Sequence, residues 1–115
     1  MSEARAAGVR RKKAEVFAAL GDETRLALVA KLCRGDALSI SELTETAAGA
    51  RMTRQAVTKH LRVLERAGLV RCSQAGRERR FAFRREPVDE MREYLQFVST
   101  EWDEALGRLK ALVEE

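Results

Sequence analysis

The chain has few of the residues that interrupt, staple or catalyse. It contains one proline, two cysteines, one histidine, one tryptophan and one tyrosine in 115 residues. So little proline beside 45% hydrophobic residues excludes an extended, low-complexity chain and fits a folded one. Cys33 and Cys72 form no CxxC pair and match no zinc spacing, so they read as reduced thiols, with a redox pair between them as the alternative. A single histidine leaves too few nitrogen and sulfur ligands for a tetrahedral metal site. No apolar run reaches the roughly 18 residues of a membrane span. The opening stretch MSEARAAGVRRKKAEV has no signal-peptide core, so a cytoplasmic location is expected. There is no glycine-rich loop after a strand and no nucleophile elbow, so the expectation is a protein without enzymatic activity or cofactor. Glu101, Asp103 and Glu104 cluster, but a solvated acidic face accounts for them.

The most informative scarcity is local. Residues 51–85 carry 11 basic and only 2 acidic residues, whereas residues 1–50 are nearly balanced and residues 86–115 carry 9 acidic against 3 basic. The net charge of +4 hides this partition. A basic middle third points to a polyanion contact confined to one part of the molecule.

At this length the chain is one domain, residues 1–115, able to bury a core without staples. The spacing predicts a first helix over 9–20, broken at Gly21-Asp22, with Asp22 as the N-cap of a second. Leu26, Val29, Ala30 and Cys33 recur at helical spacing and are expected to face the core. Gly35 is expected to end that helix in a left-handed conformation. Ser39-Ile40-Ser41-Glu42 is a capping box for a third helix ending near Ala48, with Gly49 as its stop and Ala50 to Met52 as a turn. Thr53 caps a fourth helix that stops at Gly68, so residues 39–67 form a helix-turn-helix. Residues 69–84 read as a β-hairpin around Gly76, and Pro87 sits in the first turn of a last helix over 88–114.

In that last helix Met91, Leu95, Val98, Trp102, Ala105, Leu109 and Leu112 follow steps of 4, 3, 4, 3, 4 and 3 residues, a seam of period 3.5. The helix would span roughly 40 Å, longer than a compact domain of radius of gyration near 13 Å. It is expected to overhang its domain and to be covered by a second copy, giving a homodimer. Phe17 on the first helix, with Met91, Leu95, Val98, Trp102, Leu109 and Leu112, is assigned to that interface; packing against the chain's own first helix is the competing cover.

The fourth helix divides by face. Stepping 100° per residue from Val57 places Val57, Leu61 and Leu64 on the packed side, with Thr53 and His60 at its edge. Gln55, Thr58, Lys59, Arg62 and Arg66 fall opposite. A helix showing hydrogen-bonders and cations outward suits the major groove of double-stranded DNA. Arg54, Gln55, Thr58 and Lys59, near its N-terminus, are assigned to base edges. Thr53, His60, Arg62 and the wing residues Arg77, Arg79 and Arg80 are assigned to phosphates. His60 has no second ligand in the sequence and is read as a packing or phosphate contact, not a metal ligand. The order is a mainly α winged helix-turn-helix with a small β-hairpin.

ALGDETRLALVAKL, SISELTE, TRQAVTKHLRVLERAGLV and the wing GRERRFAF resemble the ArsR family of winged-helix transcriptional regulators, over about Phe17 to Leu112. The resemblance implies a homodimer through the first and last helices, bound as a repressor to an inverted repeat, with half-sites about 34 Å apart. Soft-metal sensing in the family uses a CVC pair; here Ser39 and Ser41 stand at those positions. A second family site uses Asp and His of the last helix; here that helix has Asp89 and Asp103 and no histidine, so no metal is expected. The connection ETAAGARMT is longer than is usual in the family. The release signal stays open between a small-molecule effector, a thiol oxidant and the protein's own concentration. The alternative to a DNA-binding regulator is a winged-helix protein-interaction module without specific DNA binding.

Overall fold

The computed structural model describes residues 2–46 and 52–114. Its elements are α1 (Glu3–Leu20), α2 (Glu23–Leu32), β1 (Leu38–Ser39), α3 (Ile40–Thr46), α4 (Arg54–Arg66), β2 (Val70–Ala75), β3 (Glu78–Phe83) and α5 (Glu86–Glu114). The three strands form one antiparallel sheet in the order β1-β3-β2.

Helix termini follow local chemistry. Asp22 accepts from the Arg25 backbone N–H at 3.0 Å and starts α2. Thr53 does the same for α4 through the N–H of Ala56 at 3.1 Å. The capping box of α3 is reciprocal: Ser39 Oγ accepts from the Glu42 N–H, and Glu42 Oε1 accepts from the Ser39 N–H, both at 3.1 Å. α4 ends in a Schellman arrangement, with the Leu69 N–H donating to the Leu64 carbonyl and the Gly68 N–H to that of Glu65, both at 2.9 Å. Gly68 takes φ +80°, which L side chains rarely adopt.

The core is built from Val16 and Ala19 of α1, Leu28 and Leu32 of α2, Leu43 of α3, and Val57, Leu61 and Leu64 of α4. Leu69, Val70, Phe81 and Met91 close it.

Several expectations need correction. α1 begins at Glu3, not Val9, because Ser2 accepts from the Arg5 N–H at 3.2 Å and the helix runs through Gly8. The phase of α2 differs: Leu28 and Leu32 are buried, Val29 packs beside them, and Leu26 is 52% exposed, with Ala30 and Cys33 also outside. The segment ETRLALVAKL is apolar around much of its circumference, so two stripes compete, and contact with α1, α4 and β3 selects one. Gly35 is not left-handed; α2 closes instead with right-handed turns from Cys33 to Gly35. β1 was not foreseen. Two residues carry no period, and Leu38 and Ser39 are extended because they pair with Phe81 and Arg80. The end expected for α3 near Ala48 and Gly49, and the turn before Met52, lie outside the described residues.

α5 starts at Glu86 and is 29 residues long. Its first turns pack on the domain through Met91 and through Tyr94, whose ring meets Phe17 edge-on at 6.2 Å. Beyond them it stands clear, and the molecule measures 68 × 34 × 22 Å.

Candidate nucleic-acid interface

α3 and α4 are held on the core by Leu43 and by Val57, Leu61 and Leu64. This leaves the opposite side of α4 to solvent: Arg54, Gln55, Lys59, Arg62 and Arg66 are exposed and Thr58 is half-buried. Thr58 Oγ1 donates to the Arg54 carbonyl at 2.7 Å. Its proton is therefore spent within the helix, which leaves a lone pair and a methyl for an outside partner. Arg66 folds back toward the Arg62 carbonyl at 3.4 Å.

The wing is the β2–β3 hairpin. Its turn is shaped by Gly76 at φ +63° and by Gln74, whose side-chain amide donates to the Gly76 carbonyl at 3.0 Å. Arg77 and Arg79 enter no ion pair among the described residues, whereas Arg80 is paired with Glu78 at 3.3 Å. The wing tip and the start of α4 share a groove of about 280 Å³, lined by Ser39, Ser41, Arg54, Arg77, Glu78 and Arg79. Sequence reasoning assigned Arg54 to the reader helix and Arg77 and Arg79 to the wing, and the fold brings all three to one groove. Ser41, noted in the sequence only in the capping box and at the CVC position, was given no DNA role. It lines this groove and a second one of about 400 Å³ with Thr44, Glu45, Met52 and Arg54. Only tertiary packing places it there.

Two carboxylates beside these elements are held in their ionised form. Asp22 lies below the ordinary carboxylate range, chiefly because it accepts the Arg25 backbone N–H, with the Arg25 and His60 side chains adding to the effect. Glu42 is lowered first by the Ser39 backbone N–H and then by the Ser39 hydroxyl.

His60, 22% exposed, faces the start of α2 with Nδ1 3.2 Å from an Arg25 guanidinium nitrogen. Arg25 carried no assignment in the sequence; 35 residues separate it from His60, and no local spacing announces the contact.

A helix-turn-helix domain family matches residues 20–73, from the end of α1 into β2. The chain is 42% identical over 79 residues to the HTH-type transcriptional regulator YuzN of Bacillus subtilis, which covers 66% of this chain and 86% of that one. It superposes on the ArsR-like transcriptional regulator from Rhodococcus sp. RHA1 with a TM-score of 0.76 at 34% identity, over 91% of this chain and 95% of the other. The chain belongs to the ArsR family of winged helix-turn-helix transcriptional regulators. As an ArsR-family protein it is a transcriptional regulator with a helix-turn-helix DNA-binding domain. In fold it also matches a Mycobacterium bovis winged helix-turn-helix DNA-binding domain described as homodimeric, with a TM-score of 0.68 at 23% identity, over 90% of this chain and 92% of that one. Among the described residues of this ArsR-family chain, no helix is long and apolar enough to cross a membrane.

The residues assigned to self-association divide. Met91 lies in the chain's own core and Phe17 packs against it, half-buried. Leu95, Val98, Trp102, Leu109 and Leu112 are exposed, Trp102 at 64%.

Proposed function

We propose that the chain is a homodimeric repressor that binds an inverted-repeat operator, with α4 in the major groove and the wing on the flanking backbone. One observation carries this reading: Arg54 at the start of α4 and the wing arginines Arg77 and Arg79 line one groove. Acids are nearly absent from the segment that builds it. Gln55 and Lys59 read base edges, with Arg54 and Thr58 beside them. Thr53, His60, Arg62, Arg77, Arg79 and Arg80 grip phosphates and set affinity more than sequence choice.

Self-association supplies the second half-site. Leu95, Val98, Trp102, Leu109 and Leu112 leave an apolar strip on α5 that the other described residues do not cover. Burying such side chains is worth about 1.5–3 kcal/mol each. A second α5 on the same strip makes a two-fold pair, and two recognition helices about 34 Å apart then meet one face of a duplex. A dimer seated on a promoter occludes polymerase, which favours repression.

The test is recovery of genomic fragments bound by the purified protein, followed by titration of the recovered site at several salt concentrations. The expected outcome is an inverted repeat bound far more tightly than random duplex, with affinity falling steeply as salt rises. Equal, weak binding to promoter and random DNA, or no salt slope, would leave the protein-interaction module as the better account.

A further inference from the structure

We infer that Arg25 is a positioning residue for DNA binding: it fixes His60 as an Nε2–H donor aimed outward, toward a DNA phosphate. The inference rests on the reading that α4 faces DNA.

The chemistry of the two partners decides the tautomer. Arg25 is held from behind at the end of α1, donating from Nε to the Ala19 carbonyl at 2.6 Å and from a terminal nitrogen to that of Ala18 at 3.4 Å. Its other terminal nitrogen lies 3.2 Å from His60 Nδ1. A guanidinium has donors only, so Nδ1 must accept, and the proton of the neutral imidazole must sit on Nε2. Asp22 is the competing partner for Nδ1, but its Oδ2 is 3.8 Å away, beyond hydrogen-bond reach, and already accepts the Arg25 backbone N–H. A salt bridge to Asp22 would require a proton on Nδ1. That proton would point at Arg25, so the two contacts exclude each other, and the shorter one prevails.

The other side of the ring is free to work. No described residue engages Nε2, and no described side-chain nitrogen or oxygen is buried without a partner. Nε2 therefore opens to solvent, at the edge of the helix that carries Lys59 and Arg62 on its exposed side. A donor held in one orientation by three hydrogen bonds behind it loses little entropy on meeting a phosphate oxygen. The arrangement joins the last carbonyls of α1, the first turn of α2 and the recognition helix through one guanidinium.

The experiment compares His60→Gln and His60→Asn in the full-length protein, by anisotropy titration of the recovered operator. Glutamine keeps an N–H near the position of Nε2. Asparagine keeps an acceptor for Arg25 but drops the outward donor. The expected result is a roughly tenfold loss for His60→Asn and a smaller loss for His60→Gln, which keeps the outward donor but offers Arg25 no acceptor at the Nδ1 position. Arg25→Met, which leaves the donor but not its anchor, should weaken binding by the smaller factor seen for His60→Gln, and Arg25→Met/His60→Asn should be no weaker than His60→Asn alone. Two-bond 1H–15N spectra of the free protein above the imidazole titration should show Nε2–H alone in the native chain and a mixture in Arg25→Met. Equal losses in His60→Gln and His60→Asn, multiplying losses in the double variant, or an Nδ1–H native tautomer would overturn the inference. If Lys59→Ala is silent as well, the placement of α4 on DNA fails instead. If Lys59→Ala weakens binding while His60→Asn does not, only the role of His60 and Arg25 is lost.

Discussion

In the proposed complex, single side chains on α4 carry separable duties. Gln55 and Lys59 are exposed and face away from the core. Replacing Gln55 with alanine is expected to cost about 1–3 kcal/mol of operator binding and to relax preference at one base position. Competition among operator variants measures both; a uniform loss across sequences would place Gln55 on phosphate. The lowered carboxyls of Asp22 and Glu42 make a second residue-scale prediction. A carboxyl whose folded pKa is depressed adds stability above its unfolded pKa and loses that contribution as pH falls through the folded value. The midpoint of thermal unfolding should therefore drop as pH is lowered below about 4. Asp22→Asn retains an N-cap without the titrating charge, so its drop should be shallower than the native one.

Elements succeed or fail at their ends and on their packed faces. Gly68 ends α4 at φ +80°, and a Cβ built there would meet only Pro87 Cγ at an ordinary 3.6 Å. The expected cost of Gly68→Ala, about 1–2 kcal/mol in chemical denaturation, thus comes from backbone conformation and not from crowding. In the proposed complex the wing acts through charge. Arg77→Ala with Arg79→Ala should lower the slope of log affinity against log salt by nearly two, because each phosphate contact contributes about 0.9. Base preference should stay unchanged. An unaltered slope would mean that the hairpin does not touch the duplex.

The dimension of the whole molecule is set by α5. Its distal turns extend beyond the domain, and their apolar strip is wet in the single chain. Trp102→Glu or Leu109→Glu is expected to shift sedimentation from dimer toward monomer. Operator affinity should fall with it, because each half-site contact would then be made alone. A variant that remains dimeric would place the self-association surface elsewhere.

Much of this architecture was legible in the linear order of residues, because it rests on contacts a few positions apart. The cap at Asp22, the reciprocal box of Ser39 and Glu42, the cap at Thr53 and the stop at Gly68 are all local hydrogen-bonding or φ requirements. So is the amphipathic split of α4, whose packed and outward residues differ sharply in polarity. The family likeness and the concentration of positive charge followed from the same local text. What packing alone decided has no short-range signature. The face of α2 had two apolar stripes to choose from, and neighbouring elements chose Leu28 and Leu32. β1 exists because β3 offers a free edge to Leu38 and Ser39. Arg54 joins Arg77 and Arg79, and Arg25 reaches His60, only when residues far apart in the chain are brought together by burial of the core. Burial is non-directional along the sequence, so it leaves no pattern there that names its partners.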